Sequence, residues 1–226
     1  MSASPRFLRA TFARDFAIAT RSGGGWFYGL LFFALFATLS GLAIGPERAS
    51  LAIAAPAIAW LATAFALQLA SADCFESDFR DGTLRVLAAE NESLAPYYVG
   101  KLLSLIATIG VPLICVIPVV FLMFGTPASD VSGAAALIII GMPALLVIVL
   151  FAAAIATGLR AAGLLASLIG APLAAAPLIF GVLSVKSLFE RGVFWSPETM
   201  LVAALGLFFG VLLPPFSIAA LRYGLE

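Results

Sequence analysis

Six stretches of the chain run for about twenty residues each without a single Asp, Glu, Lys or Arg. They are Trp26 to Ile44, Leu51 to Ala72, Leu102 to Phe124, Ala134 to Thr157, Ala161 to Val185 and Met200 to Leu221. Wound as a helix, each is long enough to cross the hydrocarbon of a bilayer. The stretches are apolar on every side, so a soluble domain built from them would have no polar surface to turn toward water. The short alternating segments of a membrane β-barrel are missing, and hydrocarbon offers no partner to an unpaired backbone amide. The pattern therefore predicts an all-α polytopic membrane protein. It has an N-terminal segment over residues 1–25 and one six-span domain over 26–226, with no room for a separate soluble domain.

Prolines punctuate the later stretches: Pro112 and Pro118 in the third, Pro143 in the fourth, Pro172 and Pro177 in the fifth, Pro214 and Pro215 in the sixth. Each removes an amide donor and can kink its helix. Gly158, Gly163, Ala166 and Gly170 are small enough to let neighbouring helices approach closely.

Composition agrees with this picture. Of 226 residues, 63% are hydrophobic and 11% charged, against about a quarter charged in an ordinary globular chain. Formal net charge is zero, which gives no basic surplus for nucleic acid. The distribution of charge is more informative than its sum. With the N-terminus in the cytoplasm, that side holds Arg6, Arg9, Arg14, Arg21, Arg80, Arg85, Lys101, Arg160 and Arg222, and the other side holds Arg48, Lys186 and Arg191. Cytoplasmic loops carry the excess of Lys and Arg, so both termini are expected inside. The longest cytoplasmic connection is then Asp73 to Lys101, and the longest external one Lys186 to Thr199. The aromatic residues Phe189, Phe194 and Trp195 suit that external stretch to the lipid–water boundary. Arg6, Arg9, Arg14 and Arg21 are too dispersed for a cleavable signal peptide, so the first span is expected to stay in the mature protein.

Two segments outside the spans carry structure of their own. Leu8, Phe12, Phe16 and Ala19 fall on one helical face, with Arg6, Arg14 and Arg21 roughly opposite, as in a helix lying along the cytoplasmic membrane surface. Asp15 sits on or beside the apolar face and spoils the pattern. Gly23, Gly24 and Gly25 would turn this helix into the first span. After the second span, Asp73, Glu76, Asp78, Asp81, Glu90 and Glu92 make up half of the chain's acidic residues. Glu76 and Arg80 stand four apart and Phe75 and Phe79 share a face, so the second span is expected to continue into the cytoplasm as a charged helix ended by Gly82. Thr83 to Glu90 would form a second short helix with Leu84 and Leu87 on one side, an arrangement suited to docking a soluble partner.

Several chemistries are not supported. There is no His to complete a catalytic or metal site around the acids. Cys74 and Cys115 form no CxxC pair. The spans contain no ionisable group for a proton or ion relay. No phosphate-cradling GxxxxGK[ST] motif occurs, so the chain is not expected to be an enzyme, and any ATP hydrolysis would come from a partner subunit.

A second span followed by an acidic stretch and then Asp81-Gly82-Thr83-Leu84, leading to Leu87, resembles the coupling segment of six-span ATP-binding-cassette exporter permeases. More narrowly, the chain resembles the heme exporter protein B family, the permease subunit of the cytochrome c maturation system. That resemblance rests on Arg14-Asp15 with Arg21-Ser22-Gly23-Gly24, on Leu42-Ala43-Ile44-Gly45-Pro46-Glu47, and on Asp73, Phe75 and Asp78 ahead of Asp81-Gly82-Thr83-Leu84. It extends to Pro177-Leu178-Ile179-Phe180-Gly181 in the fifth span. Arg85 stands where the family often has an acid.

The resemblance implies a bacterial inner-membrane protein acting as a pair of permeases on two cytoplasmic ATP-binding-cassette ATPase subunits. It also implies a heme-handling membrane subunit, a small membrane helper and a periplasmic heme chaperone as partners. Heme is the implied cargo, although the family's role is also described as ATP-driven release of the heme-loaded chaperone. Without His, and with no motif to support ligation by Met123, Met142, Cys74 or Cys115, stable heme binding by this chain is not expected. On this reading Asp73, Phe75, Glu76, Asp78, Asp81, Gly82, Thr83, Leu84 and Leu87 couple the spans to the ATPase, with Phe75, Leu84 and Leu87 as apolar contacts and Asp78 and Asp81 as polar ones. The alternatives are a non-transporting scaffold for the maturation proteins and an independent channel.

Overall fold

The computed structural model describes residues 5–22, 25–89 and 94–224. Ten α-helices follow one another among them, with no strand. An N-terminal helix, α1 (Pro5–Ser22), precedes the first span-length helix, α2 (Gly25–Ile44), and the second, α3 (Arg48–Ser71). Two short helices, α4 (Glu76–Arg80) and α5 (Thr83–Ala89), form a bend. The third span-length helix is made of α6 (Leu94–Leu105), a π-helical turn (Ile106–Gly110) and α7 (Val111–Met123). The last three are α8 (Ala128–Ala156), α9 (Ala162–Arg191) and α10 (Pro197–Tyr223). Six helices are thus long and apolar enough to cross a membrane, in the order the charge-free stretches predict. Gly23 and Gly24 of the expected turn, the Arg6 side chain, and Glu90 and Glu92 lie outside the described residues.

The bundle is built around α8, the most buried of the six. It packs against α9 and α10 on one side and against α7 and α3 on the other. Association inside lipid depends on close fit rather than on exclusion of water, so small residues decide where backbones meet. Gly170 of α9 faces Gln68 of α3 and Ala152 of α8, Ala166 is fully buried, and Gly163 lies opposite Ala72. The tightest point surrounds Trp60, whose indole is inaccessible and lies against Gly141 of α8 and Gly181 of α9. A Cβ on either glycine would overlap the ring.

Two connections differ from expectation. The second span does not run on as one helix: its ladder breaks over residues 72–75, where the Cys74 amide donates to the Ser71 carbonyl at 3.1 Å, before α4 begins. This break lets Phe75 turn inward. The stretch Lys186 to Thr199, expected on the external side, is mostly helical, because α9 reaches Arg191 and α10 starts at Pro197. Gly192, in the left-handed region with φ of 65°, stops α9. Ser196 caps α10 by accepting from the Thr199 amide at 3.3 Å, with Pro197 at the first helical position. Trp195 in this short connection is largely exposed and meets Phe194 edge to face.

The Trp60 contact sets a stability prediction. Gly181→Val should cost about 1–3 kcal/mol or more by overpacking a site that has no slack. Thermal unfolding in detergent would show it, and Trp60→Leu in the same chain should restore part of the loss. A Gly181→Val protein as stable as its parent would mean that the ring can yield.

Candidate functional site

A cluster of charged residues lies at one end of the bundle, where α1, the bend, α6 and the turn after α8 meet. Lys101 is the anchor. It lies in the second half of α6, just ahead of a charge-free stretch, and is 6% exposed. Its Nζ meets Asp15 Oδ2 at 2.8 Å and Asp78 Oδ2 at 2.7 Å. Arg14 closes the set from α1, with Nη2 at 3.0 Å from Asp15 Oδ1 and 2.5 Å from Asp78 Oδ1. The Tyr97 hydroxyl donates to Asp78 Oδ2 at 2.6 Å, and the Lys101 ammonium stands 5.5 Å from the Tyr97 ring centre. Two cations and two anions from three elements thus form a neutral quartet whose carboxylates are fully engaged.

Such a cluster is expensive to desolvate and, once buried, expensive to break. A buried charge without a partner costs several kcal/mol, so each member enforces the position of the others. Burial works against the Arg14 guanidinium, yet the carboxylates of Asp78 and then Asp15 outweigh it and raise its pKa. Asp15, which breaks the apolar face of α1 in sequence, is therefore the residue that ties α1 to the third span. Trp26 ties the other end of α1, its indole N–H donating to the Ala19 carbonyl at 2.8 Å.

The bend is held by a second set of contacts. Glu76 accepts from Arg80 Nε at 2.9 Å and from the Gly158 amide at 2.9 Å, which joins α4 to the turn after α8. Gly158 has φ of 78°, and a Cβ there would collide with the Phe79 ring, so only glycine suits that turn. Phe75 stacks on Tyr98, with ring centres 6.3 Å apart and planes within 12°. Gly82, with φ of 78°, ends α4 and lets α5 set off in a new direction.

These contacts relocate several residues read from the sequence. Phe75, Leu84 and Leu87, expected to face outward as apolar contacts, are buried in the protein's own core because the bend needs an apolar underside to sit on the bundle. Asp78, expected as a polar contact for a partner, is consumed by the quartet. Arg14 likewise points to Asp78 rather than to lipid phosphates, whereas Arg21 is exposed. Thr83 is half-buried at the start of α5. The surface left outward on the bend consists of Asp73, Ser77, Arg80, Asp81, Arg85 and Val86. Lys101 and Tyr97 were missed as site residues. The available signal was a lysine directly bordering a charge-free stretch, preceded by two tyrosines.

Between α1, the start of α2, the end of α3 and α6 lies a cleft of about 470 Å³. The quartet forms its floor, Trp26 and Leu69 line its apolar wall, and Asp73, Ser77 and Asp81 reach its rim. Among the described residues no group of His, Cys, Asp and Glu converges as metal ligands would. The arrangement is suited to holding elements together and transmitting displacement.

Comparison with known proteins gives a consistent answer. Residues 6–224 match the family described as CcmB protein. The chain is 36% identical over 222 residues to the heme exporter protein B of Paracoccus denitrificans, covering 97% of this chain and 100% of that one. It is 34% identical over 220 residues to the heme exporter protein B of Rhodobacter capsulatus, again covering 97% and 100%. The protein of the same name from Bradyrhizobium diazoefficiens is 32% identical over 219 residues, covering 97% of this chain and 99% of that one.

Removing one partner from the quartet should be worse than removing an opposite pair. Lys101→Met leaves two carboxylates sharing the single Arg14 cation and should cost about 3–5 kcal/mol, whereas adding Asp15→Asn, which keeps the Arg14–Asp78 pair and restores neutrality, should recover much of it. Thermal unfolding of the single and combined variants checks this. Equal losses throughout would show that the charges are solvated rather than buried.

Proposed function

The chain belongs to the CcmB protein family, and from that membership we propose that it is the membrane permease subunit of a heme-export system serving c-type cytochrome maturation. It sits in the bacterial inner membrane with both termini in the cytoplasm. A cytoplasmic ATP-binding-cassette ATPase docks on the bend and drives it, and a second copy of the chain completes the permease pair. A heme-handling membrane subunit, a small membrane helper and a periplasmic heme chaperone are the further partners. Heme, either exported or released with the chaperone, is the cargo of the system rather than a resident cofactor of this chain.

The observation that carries this reading is the build of the bend. Its underside is buried and locked to α1, α6 and the turn after α8. Its upper side carries Asp73, Asp81, Arg85 and Val86 outward, with no catalytic group among them. A short helix pair that is rigidly attached below and open above is suited to receiving a push. The end that bears it also collects most of the Lys and Arg residues, which supports a cytoplasmic position.

Changing the outward residues should undock the ATPase and spare the fold. Asp81→Lys with Val86→Asp is expected to lower co-purification of the ATPase about tenfold while the chain's level in the membrane stays unchanged. Unaltered co-purification and ATPase activity would remove the docking role.

The scaffold alternative separates in a second measurement. An ATPase that binds nucleotide and permease but cannot hydrolyse ATP should abolish holocytochrome c production. Full production would mean that assembly alone suffices.

A further inference from the structure

The third span-length helix changes its hydrogen-bond period part-way along. In the π-helical turn the Val111 amide donates to the Ile106 carbonyl, five residues back instead of four. Local chemistry explains the widening. Pro112 has no amide to give, and its ring would press on the carbonyl four residues earlier, so an added residue in the turn relieves the conflict. The Thr108 hydroxyl meanwhile donates to the Ser104 carbonyl at 2.8 Å, and Gly110 contributes no side chain to stiffen the turn.

The two sides of this turn have different main partners, although α6 also touches α8 and α10. Below it, α6 packs chiefly on α1, with Thr11 pressed against Gly100, and the quartet clamps it to α1 and α4. Above it, α7 packs on α8 and α3. There Leu113, Ile117 and Phe121 are inaccessible, and Phe121 meets Phe189 of α9 edge to face. A weak point in the ladder between two separately held halves is where bending costs least.

We infer that the third span is a lever hinged at Ile106–Gly110: α6 and α1 swing as one arm, carrying α4 and the turn after α8 that Glu76 holds to it, while α7 stays fixed to the bundle. Arg14, Asp15, Asp78 and Lys101 are the positioning residues that make the arm rigid. The source of the push rests on the docking reading above. The hinge itself is a property of this chain and can be tested without the ATPase.

A π turn is one residue inserted into an α-helix, so deleting one residue restores the regular ladder while both flanks keep their facing. The test variant is the deletion of Ala107 combined with Pro112→Ala. A milder variant, Gly110→Ala, is expected to fold readily, because its methyl group would rest at ordinary contact distance, 3.7 Å from Met142 Sδ. Spin labels at Val99 on α6 and Leu168 on α9, both exposed, are placed in the full chain with Cys74 and Cys115 replaced by Ala and reconstituted in lipid nanodiscs. The parent should give a broad or two-peaked distance distribution and the deletion variant one narrow peak. Gly110→Ala should shift the ratio of the two populations about two- to fivefold. Equal distributions in all three would overturn the hinge. In cells with the complete set of partners, the deletion variant should keep the ATPase bound and lose holocytochrome c, and normal holocytochrome c would likewise overturn it. Failure of the parent chain to retain the ATPase would instead defeat the docking reading, and the nanodisc distances would still decide the hinge.

Discussion

An ammonium group withdrawn from water into a protein must be met by carboxylates from the same protein, and at Lys101 that requirement shapes one whole end of the molecule. The lysine lies too deep in α6 to be treated as a flanking charge. Satisfying it takes Asp15 from α1 and Asp78 from α4, and satisfying those acids in turn takes Arg14 and the Tyr97 hydroxyl. Desolvation makes each link in this chain obligatory. The amphipathic helix is thereby fixed against the third span, and the bend is drawn down far enough to bury Phe75, Leu84 and Leu87.

Under the proposed function the quartet works mechanically rather than chemically. A general acid or base needs an exchangeable proton near working pH and room for a reactant, whereas both quartet carboxylates are saturated by cations and a phenol. Rigidity follows from the same saturation. At mid-membrane the tight seat of Trp60 between Gly141 and Gly181 performs the corresponding task for α3, α8 and α9, using shape in place of charge. The protein therefore has two stiff regions, one ionic and one apolar, with the π turn beside the path that joins them.

How much of this could be read from the residues depends on the range of each interaction. The six spans were legible because exclusion of charge over about twenty positions is a local property with one physical meaning. The bend was legible in outline, since Glu76 and Arg80 pair within one helix and Gly82 supplies the positive φ that ends it. Which face of the bend points outward was not legible: Leu84 and Leu87 form an apolar side that suits a partner or the protein's own core equally well. The quartet joins residues as far apart as Asp15 and Lys101, a pairing that no periodicity announces. Asp15 on an apolar face was the one visible irregularity, and it marked the place where tertiary structure overrides the local pattern. The π turn was half visible. Pro112 predicts a disturbed ladder, but whether a helix kinks or widens depends on what packs beside it.

The order in which the quartet's members leave the ribosome has a consequence for how the protein is made. Arg14 and Asp15 emerge first, Asp78 follows after two spans, and the ammonium that unites them arrives only with Lys101. Until the third span is made, Arg14 is the one cation of the set facing both acids, and the quartet that fixes the amphipathic helix and the bend to that span is incomplete. The quartet is thus complete only when the third span has been made. A nascent chain ending before Lys101 would carry the two acids with only one of their two cations.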